Sequence, residues 1–356
     1  MSSTGDATRS ARPVIVTGAA GFVGSHLVRA LLHAGREVVA TDASPSLPTA
    51  PIRGLNRQRL RFVSSDLLAP DFVDELVALT GTSVDVVHVA AIINFGQLSG
   101  SLSNASAGPD AALRSFAVNA SATWSLCAGL AGAGALGRFL HVSTRSVFGA
   151  RPATEGLIDE ASPPQPAGIY GSSKAAAEYG LLALRDQLRI DLAIARVTGV
   201  FGPWQGPASF IGQAVESVMA GRPHHTGTGG DDAYELTYVK DTVRGLVTLL
   251  QADRLEHSIY HVASGQRLIA LREVADAIAR ADPSADVFFG PGAHAGSGGR
   301  TPLSIARAAH EFGFSTRWTL DDAITDYLRI ERGGEYGAEA IDQPWLPNDR
   351  TMRRRP

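Results

Sequence analysis

Apolar residues along the first two hundred positions fall into two alternating rhythms. Short continuous runs occur at PVIVTG (13–18), EVVATD (37–42), LRFVSSD (60–66), VDVVHVAA (84–91), GRFLHVST (137–144) and IDLAIARV (190–197). Runs of this length, bounded by polar or turn residues, predict strands buried on both faces. Most are separated by longer stretches with helical periodicity, of which GSHLVRALLHAG (24–35) is the first. Strands and helices in alternation predict an α/β fold with a parallel sheet covered on both sides.

After about residue 198 the rhythm loosens, with Gly/Pro clusters at 202–207, 221–230 and 290–302 and short helical patterns at LREVADAIARA and LDDAITDYLRI. The expected division is a disordered start over 1–12, a dinucleotide-binding part over 13–198, a mainly substrate-binding part over 199–335 from which some segments return to the first, and a tail over 336–356. The Gly/Ser/Ala-rich stretch 96–109 reads as a mobile loop, and the basic cluster of the tail as solvated.

The 356 residues carry a formal net charge of -3, which gives no electrostatic case for nucleic acid or an anionic membrane. No apolar run reaches the roughly 18–20 residues a membrane span needs. The first dozen residues lack the apolar centre of a signal peptide. The single cysteine, Cys127, excludes an intrachain disulfide and a cysteine-based metal cluster, and its Ala/Leu-rich helical surroundings make it a packing residue. A cytoplasmic location is the expectation.

Chemistry enters at the strand ends. TGAAGFVG sets Gly18, Gly21 and Gly24, with Phe22 and Val23 between them, directly after the first strand and at a helix start. Glycines there allow a tight turn and let backbone N–H groups approach a pyrophosphate. Asp42 ends the next strand, where a carboxylate accepts from both ribose hydroxyls of an adenosine and repels a 2′-phosphate; the expected cofactor is NAD. Asp66, followed by Leu67, fits an adenine amine or a helix N-cap. Ala90 and Ala91 close the fourth strand with side chains small enough for backbone to lie against a cofactor.

Further along, IYGSSKAAAEY places Tyr170 and Lys174 four apart, on one face of a helix. A free tyrosine is a poor base at neutral pH, and a fixed ammonium beside it favours the phenolate. The run HVSTRSVFG ends its strand in Ser143 and Thr144, with Arg145 and Ser146 following.

Taken together, TGAAGFVG, Asp42, Asp66, HVAA, Asn119 in VNASAT, HVSTRSVFG, YGSSK, ARVTGVFGP and YELTYVKD resemble, in order, the extended short-chain dehydrogenase/reductases, also called the NAD-dependent epimerase/dehydratase family. The resemblance covers roughly residues 13–330. It implies a Rossmann-like, doubly wound sheet with a smaller C-terminal substrate domain, and NAD as cofactor, with Asn119 among its contacts. It implies Tyr170 as general acid/base, Lys174 on the nicotinamide ribose, and Thr144 on the reacting oxygen with Ser143 behind it. A homodimer through the Tyr170 helix and the helix before it is also implied, and AAAEYGLLALRDQL has apolar positions on more than one face. The family's sugar 4,6-dehydratases carry Asp-Glu after that Thr; Arg145 and Ser146 cannot replace such a pair, which disfavours elimination of water.

Substrate residues are read less directly. Arg145, Trp204 and His225 are candidates, with Gln205 and His224 beside them and no ligand spacing for a metal; His88 reads as core. UDP-sugar enzymes of the family usually have Asn at the place of Gly199 and Arg at the place of Tyr234. The substrate expected here therefore lacks UDP, or has its phosphates held by another route, with Arg196, Arg222 or Lys240 as compensating cations. The leading reading is hydride transfer at a secondary alcohol or ketone of a sugar-like molecule. A 3β-hydroxysteroid-dehydrogenase-like activity on a lipophilic alcohol is the alternative, suggested by HVAAIINFGQ and ELTYVKD. A non-catalytic NAD-bound sensor is the third, and the intact Thr144, Tyr170 and Lys174 argue against it.

Overall fold

The computed structural model describes residues 12–80, 83–93, 109–150, 156–265, 267–294 and 301–337. The expected disordered start, the 96–109 loop and the tail lie outside them, save Arg12, Pro109, Tyr336 and Gly337. The six apolar runs become β1 (Val14–Thr17), β2 (Val38–Asp42), β3 (Leu60–Ser64), β4 (Val84–His88), β5 (Leu136–Thr144) and β6 (Asp191–Val197). All pair in parallel, in the order β3-β2-β1-β4-β5-β6. The order reverses between β1 and β4, and the crevice at the carboxyl ends of such strands is where open α/β sheets bind ligands.

A seventh strand was not read from the sequence. Ile259–Val262, at the place of β11, pairs in parallel with β6, Ile259 opposite Ile194. Four residues among Ser and Gly offer too short a run to stand out. The other short strands form three two-stranded pairs: β7 (Gly199–Phe201) with β10 (Leu236–Tyr238), β8 (His224–Thr226) with β13 (Val287–Phe289), and β9 (Ala233–Tyr234) with β12 (Ile269–Ala270).

Alternation along each strand divides the core in two. Val14, Val16, Val87, Leu140, Val142, Ala193, Ala195 and Val197 face one side, where they meet the helices Phe22–His33 and Val239–Gln251. Ile15, Val39, Val86, Phe139, Leu192 and Ile194 face the other, against the helices Phe72–Thr80, Ala122–Gly132 and Ile169–Leu188. On this second side the apolar series stops short: in step with it follow His88 on β4, His141 and Ser143 on β5 and Arg196 on β6, all buried. No helix among the described residues is long and apolar enough to cross a membrane.

Candidate active site

The nucleotide end is built by close approach. Gly18 sits at φ +68°, and a Cβ there would stand 2.7 Å from the Ala90 backbone, so only glycine lets β1 turn beneath the end of β4. A Cβ on Gly24 would meet the Gly18 carbonyl at 2.0 Å, which holds the helix start tight against the turn. That helix begins at Phe22 with no side-chain cap and no acidic residue in its first turn. Its leading N–H groups are thus available to an anion. Asp42 lies across the turn, accepting from Ala20 N at 3.0 Å and Ser44 N at 2.9 Å. These residues fit a dinucleotide pyrophosphate and its ribose.

Asp66 accepts from Leu68 N at 3.0 Å and pairs with the exposed Arg114 at 3.3 Å. Leu67 and Val23 pack on the core, and Phe22 sets its ring edge against His26 at 5.4 Å. The Ala90 N–H donates to Thr17 Oγ1 at 3.3 Å, and Ala91 follows it, half-buried, at the crevice. Asn119 occupies a π-helical turn, Ala117–Ser121. Its amide accepts from Ile92 N at 2.7 Å and donates to Ile92 O and Ser173 Oγ, each at 3.0 Å. Asn119 ties the loop after β4 to the Tyr170 helix.

That helix, Ile169–Leu188, approaches the end of β5 through Gly171, where a Cβ would stand 2.4 Å from the Ser146 carbonyl. The approach brings Tyr170 to Thr144, whose hydroxyl it hydrogen-bonds. Thr144 also donates to Ser146 Oγ at 3.2 Å and accepts from Ser146 N at 3.1 Å. Burial pushes the Tyr170 phenol up to about 12, opposed by the Thr144 bond. Lys174 is 1% exposed, and among the described residues its Nζ has no hydrogen-bond partner. Burial draws its ammonium down to about 7, and Glu178 one turn further works against that. An orphaned buried ammonium beside a tyrosine fits a ribose hydroxyl of the cofactor.

Ser143 turns away from Thr144 and donates to Glu178 Oε1 at 2.5 Å. Glu178 in turn is gripped by Arg196 through Nε at 3.1 Å and Nη2 at 2.6 Å, and the guanidinium lies 4.8 Å over the Phe148 ring. Arg145 is buried and donates to the Thr301 carbonyl at 3.1 Å. Its charge acts on Glu235, a carboxyl raised to about 7 by burial although it accepts from Leu303 N, Ser264 and Gly265 N.

The remaining substrate candidates have the following surroundings. Gly199 donates to Glu235 O in the β7–β10 pair, and Tyr234 lies 6.3 Å from the Phe210 ring. His225 is exposed and bonded to Asp286 at 2.7 Å, while His224 meets Phe289 edge-on. Gln205 donates to the Val200 carbonyl. Trp204 sits at φ +64° with its N–H on Glu331 at 2.6 Å, stacked between His26 at 4.8 Å and Tyr336 at 5.1 Å.

His141, Glu178 and Arg196 were not read as one unit beside Lys174. His88 bonds Thr17 at 2.7 Å and Thr123 at 2.8 Å, while its register partner His141, stacked 5.5 Å away, has no hydrogen-bond partner for either ring nitrogen among the described residues. The available signal was a polar residue interrupting an apolar run, at FLHVST and AIAR. No group of three or more His, Cys, Asp or Glu among the described residues is placed to hold a metal.

Comparison with known proteins adds context. The model described as the NAD dependent epimerase/dehydratase family matches residues 14–263. A dTDP-glucose 4,6-dehydratase of Streptomyces niveus is 29% identical over 341 residues, which are 93% of this chain and 96% of that protein. Among solved structures, MoeE5 in complex with UDP-glucose and NAD is 28% identical with a TM-score of 0.73, covering 90% of this chain and 99% of that one. The UDP-glucuronic acid 4-epimerase of Bacillus cereus, at 24% identity and a TM-score of 0.71 over 90% of this chain and 99% of that one, shares the fold.

Proposed function

The chain belongs to the NAD dependent epimerase/dehydratase family, and from that premise we propose that this enzyme moves hydride reversibly at a secondary alcohol of a nucleotide-activated sugar, without eliminating water. The observation that carries the reading is the hydroxyl trio of Tyr170, Thr144 and Ser146 beside Lys174, whose Nζ has no hydrogen-bond partner among the described residues, with no carboxylate pair following Thr144.

The Gly18–Gly24 turn, Asp42 and Lys174 would hold NAD, which supplies the hydride acceptor and donor when bound. Thr144 holds the reacting oxygen. Tyr170 Oη takes the hydroxyl proton during oxidation and returns it during reduction. The ammonium of Lys174 favours the phenolate that does this. Elimination needs a second acid and base near the departing hydroxyl. The Arg145 guanidinium does not give up a proton at neutral pH and points to Thr301, and Ser146 is no base without a partner.

Nucleotide-sugar ligands appear in the names of the relatives and neighbours. Of the three cations named from the sequence as compensating at the phosphates, Arg196 is spent on Glu178 and Lys240 on Asp326, at 2.6 Å each. Arg222 is exposed and is the one we assign to a phosphate. The enzyme acts as a homodimer in this reading: Leu113, 68% exposed, with Phe116 and Tyr179, 59% exposed, present an apolar face on the Tyr170 helix and its neighbour. Sedimentation as a monomer at micromolar concentration would remove that part.

The test is a panel of UDP-glucose, UDP-glucuronic acid, dTDP-glucose and a 3β-hydroxysterol, each with NAD⁺, with products resolved by mass and NMR. An epimer, or a ketone formed without loss of water, supports the reading. A product lighter by one water establishes a dehydratase instead, and turnover of the sterol alone moves the enzyme to the lipophilic alternative.

A further inference from the structure

We infer that the buried Glu178–Arg196 pair is a positioning device that sets the charge of the Tyr170–Lys174 couple. The inference rests on the proposed function, in which those two residues are the working pair.

Tyr170, Lys174 and Glu178 recur every four residues on one helix, so they share a face. That face lies over the polar ends of β4, β5 and β6. Glu178 is 2% exposed, and two neighbours fix its carboxylate through three donor atoms: Arg196 through two nitrogens, and Ser143 from the strand that presents Thr144. One carboxylate therefore binds the strand of Thr144 to the helix of Tyr170. Arg196 is itself held over Phe148, which belongs to the turn after Thr144.

Among the described residues, the charged and titratable groups on the elements packed around Lys174 can be named. Tyr170 and Glu178 lie on its own helix, His88 on β4, His141 on β5 and Arg196 on β6. Packed outside are Cys127 on the helix Ala122–Gly132, Arg145 turned to Thr301, and the exposed Asp110 and Arg114 on the helix Pro109–Phe116. Both histidines are held neutral by burial and by Lys174. Glu178 is the charge that acts on Lys174, and Arg196 stands behind it. The pair is a buried dipole with its negative end toward the couple. Removing the negative end makes the site more positive and lowers the apparent pKa values of the couple; removing the positive end raises them. In a coupled pair both apparent values belong to the couple, and both move the same way.

Near-ultraviolet tyrosinate absorbance, titrated against pH and referenced to Y170F, reads this without a substrate, with and without NAD⁺. In E178Q the Tyr170 transition is expected to fall by about one pH unit, in R196M to rise by a comparable amount, and in E178Q/R196M to fall by less than in E178Q. Loss of packing alone moves the single variants alike or not at all, and either result overturns the inference. Should a single variant fail to fold, the double variant, which leaves no unpaired buried charge, decides: a downward shift supports the inference and an unchanged transition overturns it. Turnover retained by Y170F would instead defeat the proposed function, so the two failures are distinguishable.

Discussion

The two faces of the central sheet come from the same strands, yet only one stays apolar to the carboxyl end. On the first face β4, β5 and β6 run out as Val87, Leu140 and Val142, and Ala193, Ala195 and Val197. On the second, Val86 gives way to His88, Phe139 to His141 and Ser143, and Ile194 to Arg196. The first face of the sheet holds its helices through apolar side chains, which carry no charge to titrate; the pH-dependent group on that side is His26, buried in the helix Phe22–His33. The second holds the Tyr170 helix partly through buried polar groups, each of which costs stability unless paired. In the proposed reading, charge control at the Tyr170–Lys174 couple and mechanical support thus share the last residues of three strands.

Substitutions on each face should have different signatures. The largest effect is expected from Tyr170→Phe: turnover falls by about 10²–10⁴-fold, while NAD affinity and urea stability stay close to wild type. Calorimetry, chemical denaturation and a rate assay on the same preparation check all three. On the apolar face, Leu140→Ala should cost about 2–5 kcal/mol in urea denaturation and leave the pH dependence of turnover where it was. A shifted pH profile in that variant would mean the faces are not separable.

On the polar face, His88→Gln tests the cost of a buried neutral imidazole. Burial holds His88 near 3 in the folded chain, against about 6.5 when unfolded. The unfolded chain therefore binds a proton that the folded one does not, and stability falls as pH drops from about 6.5 towards 3. The slope from this group is about 1.4 kcal/mol per pH unit. His26 and His261 are held near 3 by burial in the same way and add their own slopes. The variant should lose one proton's share of the slope below pH 6 and none above pH 7. The smallest effect is expected at His141, whose ring nitrogens are unpartnered among the described residues. His141→Leu removes an unsatisfied buried group and should raise stability by about 1 kcal/mol. A loss of similar size would mean that a ring nitrogen is satisfied in the folded enzyme.

Legibility followed the same division. Strands buried on both faces leave unbroken apolar runs, so β1 to β6 could be read; the glycine turn, Asp42 and Thr144 stand at their ends, and Tyr170 and Lys174 show as a spacing of four on a helix. The Glu178–Arg196 contact was hidden because its members sit on different elements: Arg196 interrupts an apolar strand and was read as a cation for a phosphate, and nothing local to Glu178 names its partner. Arg145 shows a second limit: its identity argued against elimination, but its direction, toward Thr301, depends on a segment more than 150 residues away. Trp204 has the same character. Its left-handed backbone and its stack on His26 and Tyr336 join three distant parts of the chain, and no local pattern announces that.

The pairing of β6 with residues 259–262 has a consequence for how the polypeptide is made. When β6 leaves the ribosome its outer edge has no partner, and the partner follows only after residues 194 and 259 have both emerged. At roughly 5–20 residues per second this is a delay of about 3–13 s, during which a row of unpaired backbone groups faces water or a chaperone. A chain truncated after residue 198 would keep that edge permanently and should be recovered as aggregate. Supplying the remainder as a separate fragment during synthesis should restore soluble protein, because the missing strand can arrive on another chain.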